Sequence, residues 1–234
     1  MHAGEIDLVL TLVHALALAL FLGWGTYFMW VLIRFRRRRQ PVADAGGAGS
    51  RVAFWIEAGV VLAEVSLLVA IALPVWYERT SARPADSGAV VLRMVGEQFV
   101  WNVHYPGLDG EFGETSIALV TPSNPLGLDR SSLHGADDIA LVNEIHLPIN
   151  RPVIVQLSSK DVIHSFGVPA MRVKQDAIPG VVTSAWFTPI ATGTYDVACS
   201  QLCGLAHFRM HAVIAVESDA DYRAFLARET AALR

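Results

Sequence analysis

The sequence predicts a membrane protein of mixed α and β structure, a hairpin of two membrane-crossing helices followed by an exported β-rich domain. Three observations carry that prediction. Two apolar stretches of spanning length lie in the first third of the chain, a block of arginines separates them, and short strands between turn signals follow. The mean hydropathy of +0.41 is an average over these unlike parts.

The first stretch, "LVLTLVHALALALFLGWGTYFMWVLI", runs 26 residues from Leu8 to Ile33 without a formal charge. As a helix it would reach about 39 Å, enough to cross a hydrocarbon core of about 30 Å with tilt. A cleaved signal peptide wants a basic start and a short apolar core. This start is acidic (Glu5, Asp7) and the core is long. The second stretch runs from Val52 to Trp76. Between them, residues 34–51 carry six arginines against one aspartate, a net charge of +5. Between two spans such a block reads as a cytoplasmic loop and not as a nucleic-acid patch. Both termini and everything after residue 76 then fall on the outer side. From residue 77 on, 17 acids outnumber 12 bases, so the exported part is acidic, with a net charge of −5.

The organisation expected is a hairpin over 1–78 (helices about 8–33 and 52–76), a polar linker over 79–88, a β domain over 89–218 and an amphipathic helix over 219–234. Seven candidate strands lie at 90–95, 98–105, 139–147, 152–159, 184–189, 193–199 and 211–218, which suits a sandwich or barrel. Residues 121–138 read as a long surface loop, and Asp219 or Asp221 as the N-cap of the last helix. No phosphate-cradling glycine loop and no recognisable Ser-His-Asp pattern occurs.

Chemistry concentrates in "CSQLCGLAHFRM", residues 199–210, which holds both cysteines. A disulfide would leave His207 and Met210 unexplained. A zinc site could recruit His164 from "DVIHSFGVP", but zinc has little use for a thioether. Thiolate, thioether and imidazole together favour copper. Cys203, His207, Met210 and a distant His164 would complete a mononuclear copper site, and Cys199 exceeds its needs. Two thiolates, two imidazoles, a thioether and a loop carbonyl suit two coppers that share both sulfurs.

With "GEQFVWNVHYPG" (96–107) and "KDVIHSFGVPAMRVKQDAIPG" (160–180), this motif makes the chain resemble subunit II of haem-copper cytochrome c oxidases along nearly its whole length. The resemblance implies that the exported domain is a cupredoxin-like Greek-key β-barrel. It implies a dinuclear CuA centre held by His164, Cys199, the main-chain carbonyl of Gln201, Cys203, His207 and Met210. Electrons would arrive from cytochrome c or a similar small donor and pass to haem in subunit I. There haems and CuB reduce oxygen to water, coupled to proton translocation. Subunit III and membrane lipid are further implied partners, with no nucleic acid. The implied location is the cell membrane, multi-pass, with the copper domain and both termini on the periplasmic or extracellular side.

Individual residues depart from or match the family. Glu57 falls where the family carries a glutamate at the entrance of a proton channel; the rival reading places it at the headgroup level. Glu64, two helical turns on, stands where many members have proline. Gln201 replaces a glutamate that helps bind Mg²⁺ or Mn²⁺, so that ion site is expected to be weak or absent. In the aromatic segment Phe99 replaces the tryptophan that receives the electron, and Trp101 keeps the aromatic match. Strand alternation would instead make Phe99 and Trp101 barrel packing, the reading preferred for Trp101. Asp161, three residues before His164, would orient the site from behind its ligands, or else serve a turn. Quinol-oxidase subunits lack the copper ligands, and nitrous-oxide reductase lacks the hairpin. A membrane copper carrier and a structural zinc domain remain as other classes. No C-x-x-C-H occurs, so an external donor is expected.

Overall fold

A computed structural model of the chain describes residues 2–36, 38–39, 42, 50–81 and 83–233. The expected cytoplasmic loop falls largely outside them. The described residues form two compact units, a helical one over residues 4–82 and a β-rich one from Arg83 on.

In the helical unit, α1 spans His2–Arg34. A second helical run begins with α2, Ser50–Leu67, passes through a π-turn at Leu68–Ala72, and ends in α3, Leu73–Ser81. The π-turn has a local cause. Pro74 has no N–H to return to the preceding turn, and the wider turn lets Leu73 N–H reach the Leu68 carbonyl. Ala3–Arg34 and Arg51–Glu78 are both long and apolar enough to cross a membrane. Toward the arginine end of α1, Trp24 meets Tyr27 edge-on and Tyr27 stacks on Trp30, an arrangement suited to a headgroup boundary.

The β unit contains β1 Val90–Glu97, β2 Val100–Tyr105, β3 Ile139–Val142, β4 Glu144–Pro148, β5 Val153–Ser159, β6 His164–Val168, β7 Val173–Ala177, β8 Thr183–Phe187, β9 Gly193–Cys199 and β10 His211–Glu217. They form two five-stranded sheets, β3-β2-β1-β5-β8 and β4-β10-β9-β6-β7, in a cupredoxin-like sandwich. Alternation along β1 turns Val90, Leu92 and Met94 inward, where they meet Trp101 and Val103 of β2 and Phe166 of β6.

Four details differ from the sequence reading. Residues 164–168 and 173–177 form a hairpin absent from the seven candidate strands. The run 139–147 is two strands broken at Asn143, whose φ of 59° turns the chain from one sheet to the other. Asn143 Oδ1 also accepts the Trp101 N–H at 2.8 Å, which ties the break to β2. The last helix, α4 (Asp219–Ala232), is capped by Ser218, whose extended backbone lets its hydroxyl accept the Asp221 N–H. Asp221 instead accepts the Ser218 hydroxyl at 2.6 Å. The helix buries Tyr222 and Phe225, and the Phe225 ring stacks on His146 of β4 at 4.0 Å. The 121–138 segment is irregular, yet Leu126, Leu128 and Asp138 within it are buried.

Candidate metal centre

The motif spans the connection from β9 to β10. Its mouth is closed by the Cys199 N–H donating to the Met210 carbonyl at 3.1 Å, so the first cysteine and the methionine are neighbours. Between them Gly204, at φ +137°, turns the chain back on itself, and a 3-10 turn at His207–Arg209 follows. On the other flank β6 lies beside β9, with Phe166 paired to Cys199 and His164 at the start of its strand. A further link, Ser200 N–H to the Ser165 carbonyl at 2.9 Å, ties the loop to β6.

These constraints bring the six predicted donors together. The sulfurs of Cys199 and Cys203 are 3.8 Å apart, too far for a disulfide bond of about 2.05 Å, and both are buried free thiols. Around Cys199 Sγ stand His164 Nδ1 at 4.0 Å and the Gln201 carbonyl at 3.2 Å. Around Cys203 Sγ stand His207 Nδ1 at 3.5 Å and Met210 Sδ at 3.8 Å. Each sulfur thus has one imidazole and one weak donor, two equivalent half-sets joined through the sulfur pair. The donor atoms of His164, Cys199 and Cys203 all lie within 4.8 Å of one another. The soft donors and imidazoles fit copper. Burial, and then the neighbouring Cys199, push the Cys203 thiol up to about 11, so a metal ion must displace protons to bind there.

Behind the donors, Asp161 Oδ1 accepts from His164 Nε2 at 2.8 Å. That bond fixes the proton on Nε2 and turns Nδ1 toward sulfur. Burial alone would raise the Asp161 carboxyl. Hydrogen bonds from His164 and from the N–H groups of Gln98 and Val162 outweigh it and hold the group below its ordinary value. Trp101 is wholly buried and meets the His164 ring edge-on at 5.9 Å, so it packs the barrel beside the ligand and offers no outer surface. Gly96, its cross-strand partner, has no room for a side chain: a Cβ would lie 2.7 Å from His164 Cδ2. Phe99 is half-buried, with its ring beside Gly204. Gln201 is exposed, and Glu57 lies in α2, in the other unit.

One participant escapes a reading of the sequence. Gln98 donates its side-chain amide to the Cys203 carbonyl at 2.6 Å and its main-chain N–H to Asp161 Oδ2 at 2.7 Å. The only signal available was its place in "GEQF", 105 residues before its partner.

A family profile described as cytochrome c oxidase subunit II, periplasmic domain, matches residues 90–217. The alternative cytochrome c oxidase subunit 2 of Bradyrhizobium diazoefficiens is 36% identical over 227 residues, covering 97% of this chain and 80% of that protein. The cytochrome c oxidase subunit 2 of Cereibacter sphaeroides is 31% identical over 217 residues, covering 86% of this chain and 67% of that protein. Among solved structures, the periplasmic domain of subunit II of cytochrome oxidase from Bradyrhizobium japonicum matches with a TM-score of 0.48 at 30% identity, over 64% of this chain and 99% of that one.

Proposed function

Because the chain belongs to the cytochrome c oxidase subunit II family, we propose that it is the electron-accepting subunit of its oxidase. In this reading His164, Cys199, the Gln201 carbonyl, Cys203, His207 and Met210 hold a dinuclear CuA centre. Electrons come from cytochrome c or a similar small donor and leave for haem in subunit I, where oxygen reduction is coupled to proton translocation. The observation that carries the reading is the pair of equivalent half-sets, one around each sulfur. Bound there, copper supplies one-electron redox chemistry.

The chain's own residues prepare the site. Asp161 holds the His164 proton on Nε2, away from the sulfurs. Trp101 and Phe166 wall the ligand side of the barrel and exclude water. His164 starts β6, Cys199 ends β9 and Met210 directly precedes β10, so three of the donors are held at strand ends, which limits geometric change during electron transfer. Phe99, beside the Gly204 turn, is the proposed contact for the donor. The Gln201 side chain, an uncharged amide, gives a hard cation little hold, so a weak or absent Mg²⁺ or Mn²⁺ site is proposed there. Glu57 is proposed at the mouth of a proton channel in the assembled membrane part. The hairpin crosses the membrane twice, leaving both termini and the copper domain outside.

The test is purification of the full chain from its native membrane. A haem-bearing partner should accompany it, and the preparation should oxidise reduced cytochrome c with uptake of oxygen. A copper-loaded chain that leaves the membrane without haem, and without oxygen uptake, would favour a free-standing copper carrier.

A further inference from the structure

The two halves of the cradle hang on different parts of the fold, and one residue touches the supports of both. The His164 half is backed by Asp161, and the Asp161 carboxylate accepts the main-chain N–H of Gln98 at 2.7 Å. The Cys203 half lies in the loop, and the Cys203 carbonyl accepts the side-chain amide of the same Gln98 at 2.6 Å. Only the nitrogen of that amide can face a carbonyl, so the orientation of the side chain is determined.

The loop is shaped to receive it. A Cβ at Gly204 would lie 2.7 Å from Gln98 Nε2 and 3.1 Å from the Phe99 ring. The bare glycine therefore admits the β1–β2 turn against the cysteine loop, and its φ of +137° is one that side-chain-bearing residues rarely adopt. Glutamine also suits the reach. Asparagine is one methylene shorter, and glutamate of the same length, when ionised, has no proton to give the carbonyl.

We propose that Gln98 is a positioning residue for the metal centre, its amide fixing the Cys203 carbonyl and hence the sulfur that faces His207 and Met210. The proposal rests on the copper reading above. It distinguishes two halves: losing the amide loosens the Cys203 side, while Asp161 keeps both the His164 ring and the main-chain N–H of residue 98.

The experiment compares the full-length wild-type chain with Gln98→Leu and Gln98→Glu. Gln98→Glu keeps the length of this exposed side chain, Gln98→Leu is one atom shorter and apolar, and neither a leucine nor an ionised glutamate donates. In the metal-free chain, hydrogen exchange at the amides of 204–207 should quicken about 5- to 10-fold, with none of that change at 162–165. Titration with copper alone should show affinity about 10-fold lower in both variants, with an altered copper spectrum. Unchanged exchange at 204–207 would overturn the proposal. So would faster exchange with wild-type copper affinity and spectrum, since Gln98 would then only stiffen the loop. A wild-type chain that takes up no copper would overturn the copper reading itself, a result seen before any variant is compared.

Discussion

Two histidines of the exported domain are equally buried and give the same ring nitrogen to an aspartate, yet their surroundings assign them different tasks. His164 Nε2 meets Asp161 at 2.8 Å, and His104 Nε2 meets Asp138 at 2.5 Å. Beyond His164 the second nitrogen faces the Cys199 sulfur. Among the described residues no sulfur bonds to His104. Its ring lies edge-on to Phe112 at 4.9 Å, and the Arg93 guanidinium covers Phe112 at 4.0 Å. Asp138 is completely buried and also accepts the Gly113 N–H at 2.8 Å, whereas the Asp161 side chain is 29% exposed. A buried His–Asp pair thus says nothing by itself about metal. What the other nitrogen meets decides. In the proposed reading one pair aims a copper ligand; the other pins the irregular 106–138 segment onto β2.

The largest effect on stability should come from the pin. Asp138→Ala leaves the neutral His104 ring and the Gly113 N–H without their buried acceptor, and should cost about 2–4 kcal/mol. Denaturant unfolding of the full chain in detergent would measure it. Molecules that remain folded should bind copper as the wild type does. Asp161→Asn should invert the pattern. Its partly solvated carboxylate contributes about 1 kcal/mol to stability, while copper affinity should fall about 10- to 100-fold as His164 loses its orientation. Equal losses of stability in the two variants, with copper binding intact in both, would erase the distinction.

The smallest effect is a pH dependence at the pin. Burial holds the His104 pKa below its ordinary 6.5, and the charges of Arg93 and Arg130 act the same way, against the opposing pull of Asp138. The folded chain therefore keeps this ring neutral while the unfolded chain takes up a proton. Stability is fully present above about pH 6.5 and declines as pH falls from there through the lowered folded value. His104→Gln should remove that part of the slope. Unfolding midpoints from about pH 5 to about pH 8 that run parallel in wild type and variant would contradict it.

The grouping of the proposed donors was legible in the sequence because they are local: five of the six lie within residues 199–210, and the sixth sits in a recognisable segment. Strands with clean alternation, such as β1, were equally legible. The β6–β7 hairpin was harder to see, since Gly167 and Pro169 interrupt it and β7 carries the polar run Lys174, Gln175 and Asp176. No glycine or proline marks the break at Asn143, which the sheet switch alone requires. Asp138 read as part of a solvated loop because its partner lies 34 residues back, on a strand face that only the fold covers. Gln98 was hidden for the same reason. Contacts made across the fold leave no spacing to read.

The most direct test is a copper count with electron paramagnetic resonance on the full-length chain. Two coppers per chain, a purple colour and one unpaired electron shared over both ions are expected. Replacing Cys199 by serine should abolish the sharing, because the Cys199 sulfur stands beside both the Cys203 sulfur and the His164 ring. One copper per chain, with an ordinary four-line spectrum unaffected by Cys199→Ser, would contradict the dinuclear centre.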